Sequence, residues 1–163
     1  MDVTKRSDKV AFYGVPTGEG EYTFYRMKGF SDLSTSKNAK EYTRQYVDEE
    51  FEQTDVVGYS PSISFTLDQM KNDPVHKDIA DIYNNEKVGV DAVRPIVIVD
   101  MLSDAKEAIS RDYAVIADGE GNGMDAYVYS GTLKAKGEKI KGTATSADEW
   151  KTITFVAGDE TSE

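Results

Sequence analysis

Cysteine is absent from this chain of 163 residues, which excludes a disulfide framework, a Cys-ligated zinc site and a thiol nucleophile. Histidine is almost absent, His76 being the only one. No site with two or three His ligands can exist, and a Ser-His-Asp triad would have to use that residue. The sequence contains no G-x-S-x-G, no G-x-G-x-x-G and no P-loop, so the usual nucleophile elbow and phosphate cradles are missing. Long apolar runs are missing as well. Runs such as Ile96–Val99 are far below the roughly 20 residues of a membrane-spanning helix. The first residues, MDVTKRSDKVAFYG, hold no apolar stretch of the secretory kind. Bases are outnumbered: 19 Lys+Arg against 30 Asp+Glu give a formal charge of −11. That balance argues against ordinary nucleic-acid binding, which Lys and Arg drive by neutralising phosphates.

What is present describes a folded β domain. Hydrophobic residues make up 39% and aromatics 10%, too apolar for a disordered chain. The length suits one domain able to bury a core without staples. Period-2 alternation dominates. In SISFTLD, Ile63, Phe65 and Leu67 alternate with Ser62, Ser64, Thr66 and Asp68, the pattern of a strand with one buried face. YTFYRM, EYTRQYV, DYAVIAD, AYVYSGTLKAK and WKTITFVA read as further strands. RPIVIVDM is continuously apolar and β-branched, as for a strand buried on both faces. The count is about eight strands.

One segment breaks the alternation. Val75, Ile79, Ile82 and Tyr83 follow helical spacing, which predicts a helix over Asp73–Lys87. Asp73 stands at its N-cap, Pro74 at the first turn and Gly89 just beyond its end. Ser103–Ser110 is compatible with a second helix or with an irregular connection. Asp118-Gly119 through Gly123 reads as a Gly-rich hairpin loop, and Lys136-Gly137-Glu138 as the next turn.

Candidate chemistry is sparse. In DGEGNGMD, Asp118, Glu120, Asn122 and Gly123 match the first positions of a calcium loop, but Tyr129 stands where a bidentate Glu is required. A solvated hairpin loop is the reading, with no metal and no cofactor. His76 lies in the first turn of the expected helix and reads as a surface residue. Among 30 acids no carboxylate pair is singled out for acid/base work. Charge patterning is more informative. DEEFEQTD carries five acids (Asp48, Glu49, Glu50, Glu52 and Asp55) around Phe51 and no base. KAKGEKIK carries Lys134, Lys136, Lys139 and Lys141 against one Glu, a net +3. Each suits a solvated loop or a blunted sheet edge. Together they also suit head-to-tail association between copies, acids of one against lysines of the next.

The ordered set KEYTRQYVDEEFE, VVGYSPSISFTLDQ, DPVHKDIADIYNNEKVGVDA, RPIVIVD and the closing AYVYSGTLKAKGEKIKGTATSADEWKTITF resembles the tail tube (major tail) proteins of long-tailed phages of Gram-positive bacteria. The likeness runs over residues 20–157. It implies two packed antiparallel sheets, a sandwich or partial barrel, flanked by one helix over 73–87. It implies a non-enzymatic virion protein whose hexameric rings stack into a tube for viral DNA, with tape-measure and tail-tip or terminator proteins as further partners. It also implies a long loop gripping the neighbouring ring, placed at Asp48–Ser60 or, second, Ser31–Ala39. Residues 1–19 are then a flexible segment ordering in the tube, and 158–163 a flexible tail. A carbohydrate- or host-surface-binding β-sandwich is the alternative, with exposed Tyr as its stacking groups.

Overall fold

Alternation becomes strand pairing, and a computed structural model, describing residues 9–18, 20–122 and 127–158, gives the arrangement. In chain order the elements are β1 (Lys9–Gly18), β2 (Glu21–Arg26), β3 (Phe30–Ser36), β4 (Ala39–Arg44), β5 (Gln53–Tyr59) and β6 (Ser62–Asp68). Helix α1 (Pro74–Asn84) and a 3₁₀ turn (Gly89–Ala92) follow. The chain continues through β7 (Val93–Asp100), β8 (Glu107–Asn122), β9 (Tyr127–Ala135), β10 (Ile140–Thr145) and β11 (Thr152–Ala157). The strands β10, β11, β2, β1, β7 and β8 neighbour one another in that order, and β10 pairs back onto β8, so these six close a barrel. The far half of β8 leaves the barrel and continues as an extension, β8-β9-β6-β3. All these pairings are antiparallel. A separate two-stranded sheet holds β4 and β5.

Two cores divide the apolar residues. Val10, Phe12, Val97, Val99, Ala108, Ala144 and Ile153 fill the barrel, with Trp150 and Phe155 against them. Outside it, Val75, Ile79, Ile82 and Tyr83 of α1 pack on Tyr13, Ile63, Phe65, Leu67, Ile96 and Leu133. Neighbouring Phe12 and Tyr13 are both fully enclosed, one in each core. A barrel strand roofed by a helix has no wet face, which is why RPIVIVD lacks alternation.

The expected class, mainly β with one α-helix, is the observed one, and several details differ. Eleven strands are described where about eight were expected. Lys9–Gly18, expected to be flexible, is β1, a central barrel strand; Met1–Asp8 and Glu19 lie outside the described residues. Ser31–Ala39 is no loop, since β3 fills most of it. Asp48–Ser60 is half strand, β5 beginning at Gln53. Ser103–Ser110 forms no helix: turns lead through Lys106 (φ 54) into β8. Asp118–Asn122 belongs to β8, with a bulge between Ala117 and Gly119; the hairpin's tip, Gly123–Ala126, lies outside the described residues, as does 159–163.

Helix α1 starts as expected. Asp73 Oδ1 accepts from the Val75 and His76 amides at 2.9 and 3.3 Å. It ends at Asn84, three residues short of Lys87, because Glu86 turns left-handed (φ 48) and Lys87 folds back onto Asp81 at 2.6 Å. Gly89 opens the 3₁₀ turn instead of capping. His76 is not on the surface. It is 0% exposed, its Nδ1 accepting from the Met70 amide at 3.0 Å and its Nε2 bonded to the Lys28 carbonyl at 2.7 Å. Gly29, at φ +78, lies so near that a Cβ would come within 2.7 Å of the imidazole.

Buried phenols make the fold sensitive to alkali. Burial raises the pKa of Tyr13, reinforced by Asp78 beside it, and pushes Tyr83 up to about 12. Burial raises that of Tyr113 as well. An unfolded chain releases these protons near pH ~10 while the folded one holds them, so stability falls as pH climbs beyond that point and is unaffected by them below it. Urea midpoints between pH 8 and 12 should be flat and then decline, with a shallower decline for Tyr83→Phe. A Tyr83→Phe profile identical to the parent's would contradict this.

Candidate assembly interface

The hairpin β4–β5 has no core of its own. Thr43 and Thr54 share a hydroxyl hydrogen bond of 3.2 Å across it, and Arg44 pairs with Asp55 at 3.0 Å. The same guanidinium lies over Tyr42 and Tyr46, 5.2 and 5.6 Å from the ring centroids. At the root, Asn38 (φ 47) donates to the Ser60 carbonyl at 2.9 Å and Ser62 Oγ at 3.1 Å. Between the strands, the tip is folded: Gln45 donates to the Glu49 carbonyl at 3.1 Å and Gln53 to the Glu49 carboxylate at 2.6 Å. This arm is built, yet its apolar residues Tyr42, Val47, Phe51, Val56, Val57 and Tyr59 are exposed, Phe51 at 78%. A cluster of that kind on one projection marks an interaction surface.

The structure separates the charged candidates. Asp48, Glu49, Glu50, Phe51 and Glu52 sit together at the arm tip, whereas Asp55 lies on β5 in its ion pair with Arg44. Lys134 is exposed on β9, in register with Ser62 and Ala114. Lys136 begins the β9–β10 turn, its amide donating to the Asp112 carbonyl at 2.8 Å. Lys141 stands opposite Ile109 on the outer barrel wall, and Lys139 two residues before it. Among the described residues, no ion pair joins the tip acids to these lysines within one chain. The sequence offered no sign that Lys9 and Arg111 share that wall, since they lie on different strands.

Two features of the extension matter for association. Among the described residues, β6 is the one strand paired with β3, which forms one edge of the sheet. At the other side, β7 follows β8 only as far as Ala114, so among the described residues β8 has no partner on that flank from Val115 onward. One face of this sheet packs on α1. The other presents hydroxyls in register: Ser34, Ser64 and Thr132 in one row, Thr66 and Ser130 in the next.

No protein-family model and no curated protein matches the chain. Its fold, however, is shared with solved structures. A chain of the SPP1 tail tube superposes with a TM-score of 0.59 at 16% identity, over 85% of this chain and 78% of that one. The chain has the tail-tube fold. A chain from the tail of an empty gene transfer agent particle with C6 symmetry gives 0.59 at 12% identity, covering 84% and 97%. One from the virion of a native gene transfer agent particle gives 0.57 at 12%, covering 95% and 100%. At such identities the likeness speaks for the fold, and it meets the expectation drawn from the ordered segments.

Proposed function

We propose that this chain is a structural tail tube subunit, found in the virion tail, whose hexameric rings stack into a hollow tube conducting viral DNA to the host cell. The observation that carries the reading is the tail-tube fold over most of the chain. Supporting it are the two edges of the extension, which pair with no further strand among the described residues. Pairing of the β3 edge of one copy with the distal flank of β8 in the next would be a heterologous contact, which closes into rings or runs into filaments. Six copies contributing four strands each would give a barrel of 6 × 4 = 24 strands. Its helix-bearing face would point outward, because a layer about 10–12 Å thick would crowd the bore.

The bore would then be lined by the hydroxyl face, with Lys134 and Asp68 at its ends. Few cations there means little phosphate binding, so DNA is transient cargo. Tape-measure and tail-tip or terminator proteins complete the set of partners. No chemical step is assigned to the chain, whose single His is enclosed with both ring nitrogens engaged.

Electron microscopy of the purified protein, over a concentration series and with a tail initiator complex, tests the reading. Sixfold rings and tubes are expected. A chain that remains monomeric throughout overturns it.

A further inference from the structure

The sheet that would line the bore constrains how neighbouring copies meet. Its strands alternate in direction through β8, β9, β6 and β3. Rotation about a ring axis preserves strand direction, so β3 of one copy would run antiparallel to β8 of the next. Counted across β9 and β6, Ser36 shares a row with Ala114 and Ser34 with Ile116. Closing a barrel adds a stagger to these rows. At a tilt of about 35–45°, four strands spaced ~4.8 Å advance by about 13–19 Å, or about four to six residues, per copy. The advance must be even, because an odd one turns the hydroxyl face outward. Its direction is set by β7, which already holds the flank of β8 as far as Ala114, so β3 must slide toward Asn122. An advance of about four residues, with the bulge between Ala117 and Gly119 taking no row, sets Ser36 opposite Gly119, Thr35 opposite Glu120 and Ser34 opposite Gly121. An advance of about six leaves only Thr35 and Ser36 against the described part of β8.

The glycines point the same way. Gly119 and Gly121 fall on the hydroxyl face, in register with Ser130 and Val128. Gly119 completes the bulge. Gly121 has no such duty: its φ is not left-handed, and a Cβ there would meet no described atom within 4 Å. Neither its conformation nor the packing described within one copy requires glycine, which weakens a strand and often marks the close approach of another backbone.

We propose that β3 and the far half of β8 of adjacent copies pair antiparallel in this register, with Ser34 against Gly121. The inference rests on the reading of the chain as a ring-forming subunit and adds which residues meet.

Absence of cysteine makes the test direct. Thr35 and Glu120 are both exposed in a single copy. In assembled Thr35→Cys, Glu120→Cys chains, a short thiol cross-linker should give a ladder of covalent multimers that stops at the hexamer, since the contact lies within one ring. Either single variant should run as a monomer on the denaturing gel. Ser34→Cys with Ile116→Cys, a pair that would meet without stagger, should not link. As a second measurement, Gly121→Val should lower the yield of sedimenting rings and tubes at least tenfold. The thermal midpoint of the isolated variant should not fall, because valine favours strands. Tubes without the Thr35–Glu120 ladder, linkage of the Ser34–Ile116 pair in its place, or normal tubes from Gly121→Val overturn the register while leaving the subunit reading intact. If the unmodified chain forms neither rings nor tubes, the subunit reading fails and the register with it.

Discussion

Asp78→Ala is expected to destabilise the isolated domain by about 3–5 kcal/mol, the usual cost of stripping one partner from a buried ion pair. Asp78 joins α1 to the barrel. Its carboxylate accepts from Tyr13 Oη at 2.6 Å and from Arg94 Nε and Nη2 at 2.8 and 3.4 Å. Arg94 is 5% exposed, and its remaining donor nitrogen is already bonded to the Asp91 and Val93 carbonyls. Without Asp78 the guanidinium stays charged in a site that water barely reaches, and the Tyr13 hydroxyl loses its acceptor. Set against a typical domain stability of about 5–15 kcal/mol, that is a large share. Urea unfolding should show a lower midpoint at nearly constant slope. Asp55→Ala is the contrast. Its ion pair with Arg44 is open to solvent, the side chains being 31% and 58% exposed, so the change should stay within about 1 kcal/mol. A charge-free pair, Asp78→Leu with Arg94→Met, should recover much of the loss. A decrease below about 1 kcal/mol for Asp78→Ala would show that the interior tolerates the unpaired base.

Excision of the arm should produce the opposite dissociation, with stability kept and assembly lost. The Ser60 amide donates to the Lys37 carbonyl at 3.1 Å, so the chain ends on either side of the arm already lie together. A two-glycine link in place of Ala39–Tyr59 closes a shorter loop, and loop length changes stability only slowly, by about 0.6 kcal/mol per doubling. Among the described residues the strands removed pair only with each other, and their apolar side chains contribute to neither core. Thermal unfolding should therefore move little, while tubes disappear from sedimentation and electron micrographs. Tubes of normal length from the excised chain would exclude the arm from assembly.

Legibility differed between elements for physical reasons. SISFTLD became β6 with the bounds its alternation gives, since one face meets α1 and the other meets solvent. β1 was missed because both its faces are enclosed and because KVAFYGVPTG is interrupted by Gly14 and Pro16. That glycine is a packing requirement, since a Cβ there would approach Pro95 to 2.6 Å. In QTDVVGY the apolar residues have no interior to face, so β5 carries strand propensity without the alternation that reveals a core. His76 looked like a surface residue from its place in the first helical turn. Its role depends on Met70 and Lys28, and the latter contact spans 48 positions of sequence.

Local events are legible in the residues alone: where strands alternate, where α1 begins, and what the absence of cysteine and of catalytic patterns removes. Those depend on side-chain periodicity and capping, which act over a few residues. Only the folded arrangement shows that β10 returns to β8 and closes a barrel, and that among the described residues β3 and the far half of β8 edge the extension. It alone put Lys141 beside Ile98 and Ile109 while Lys134 went to another face. These depend on which distant strands pair and in what register, and a single shift of register moves every side chain to the opposite face.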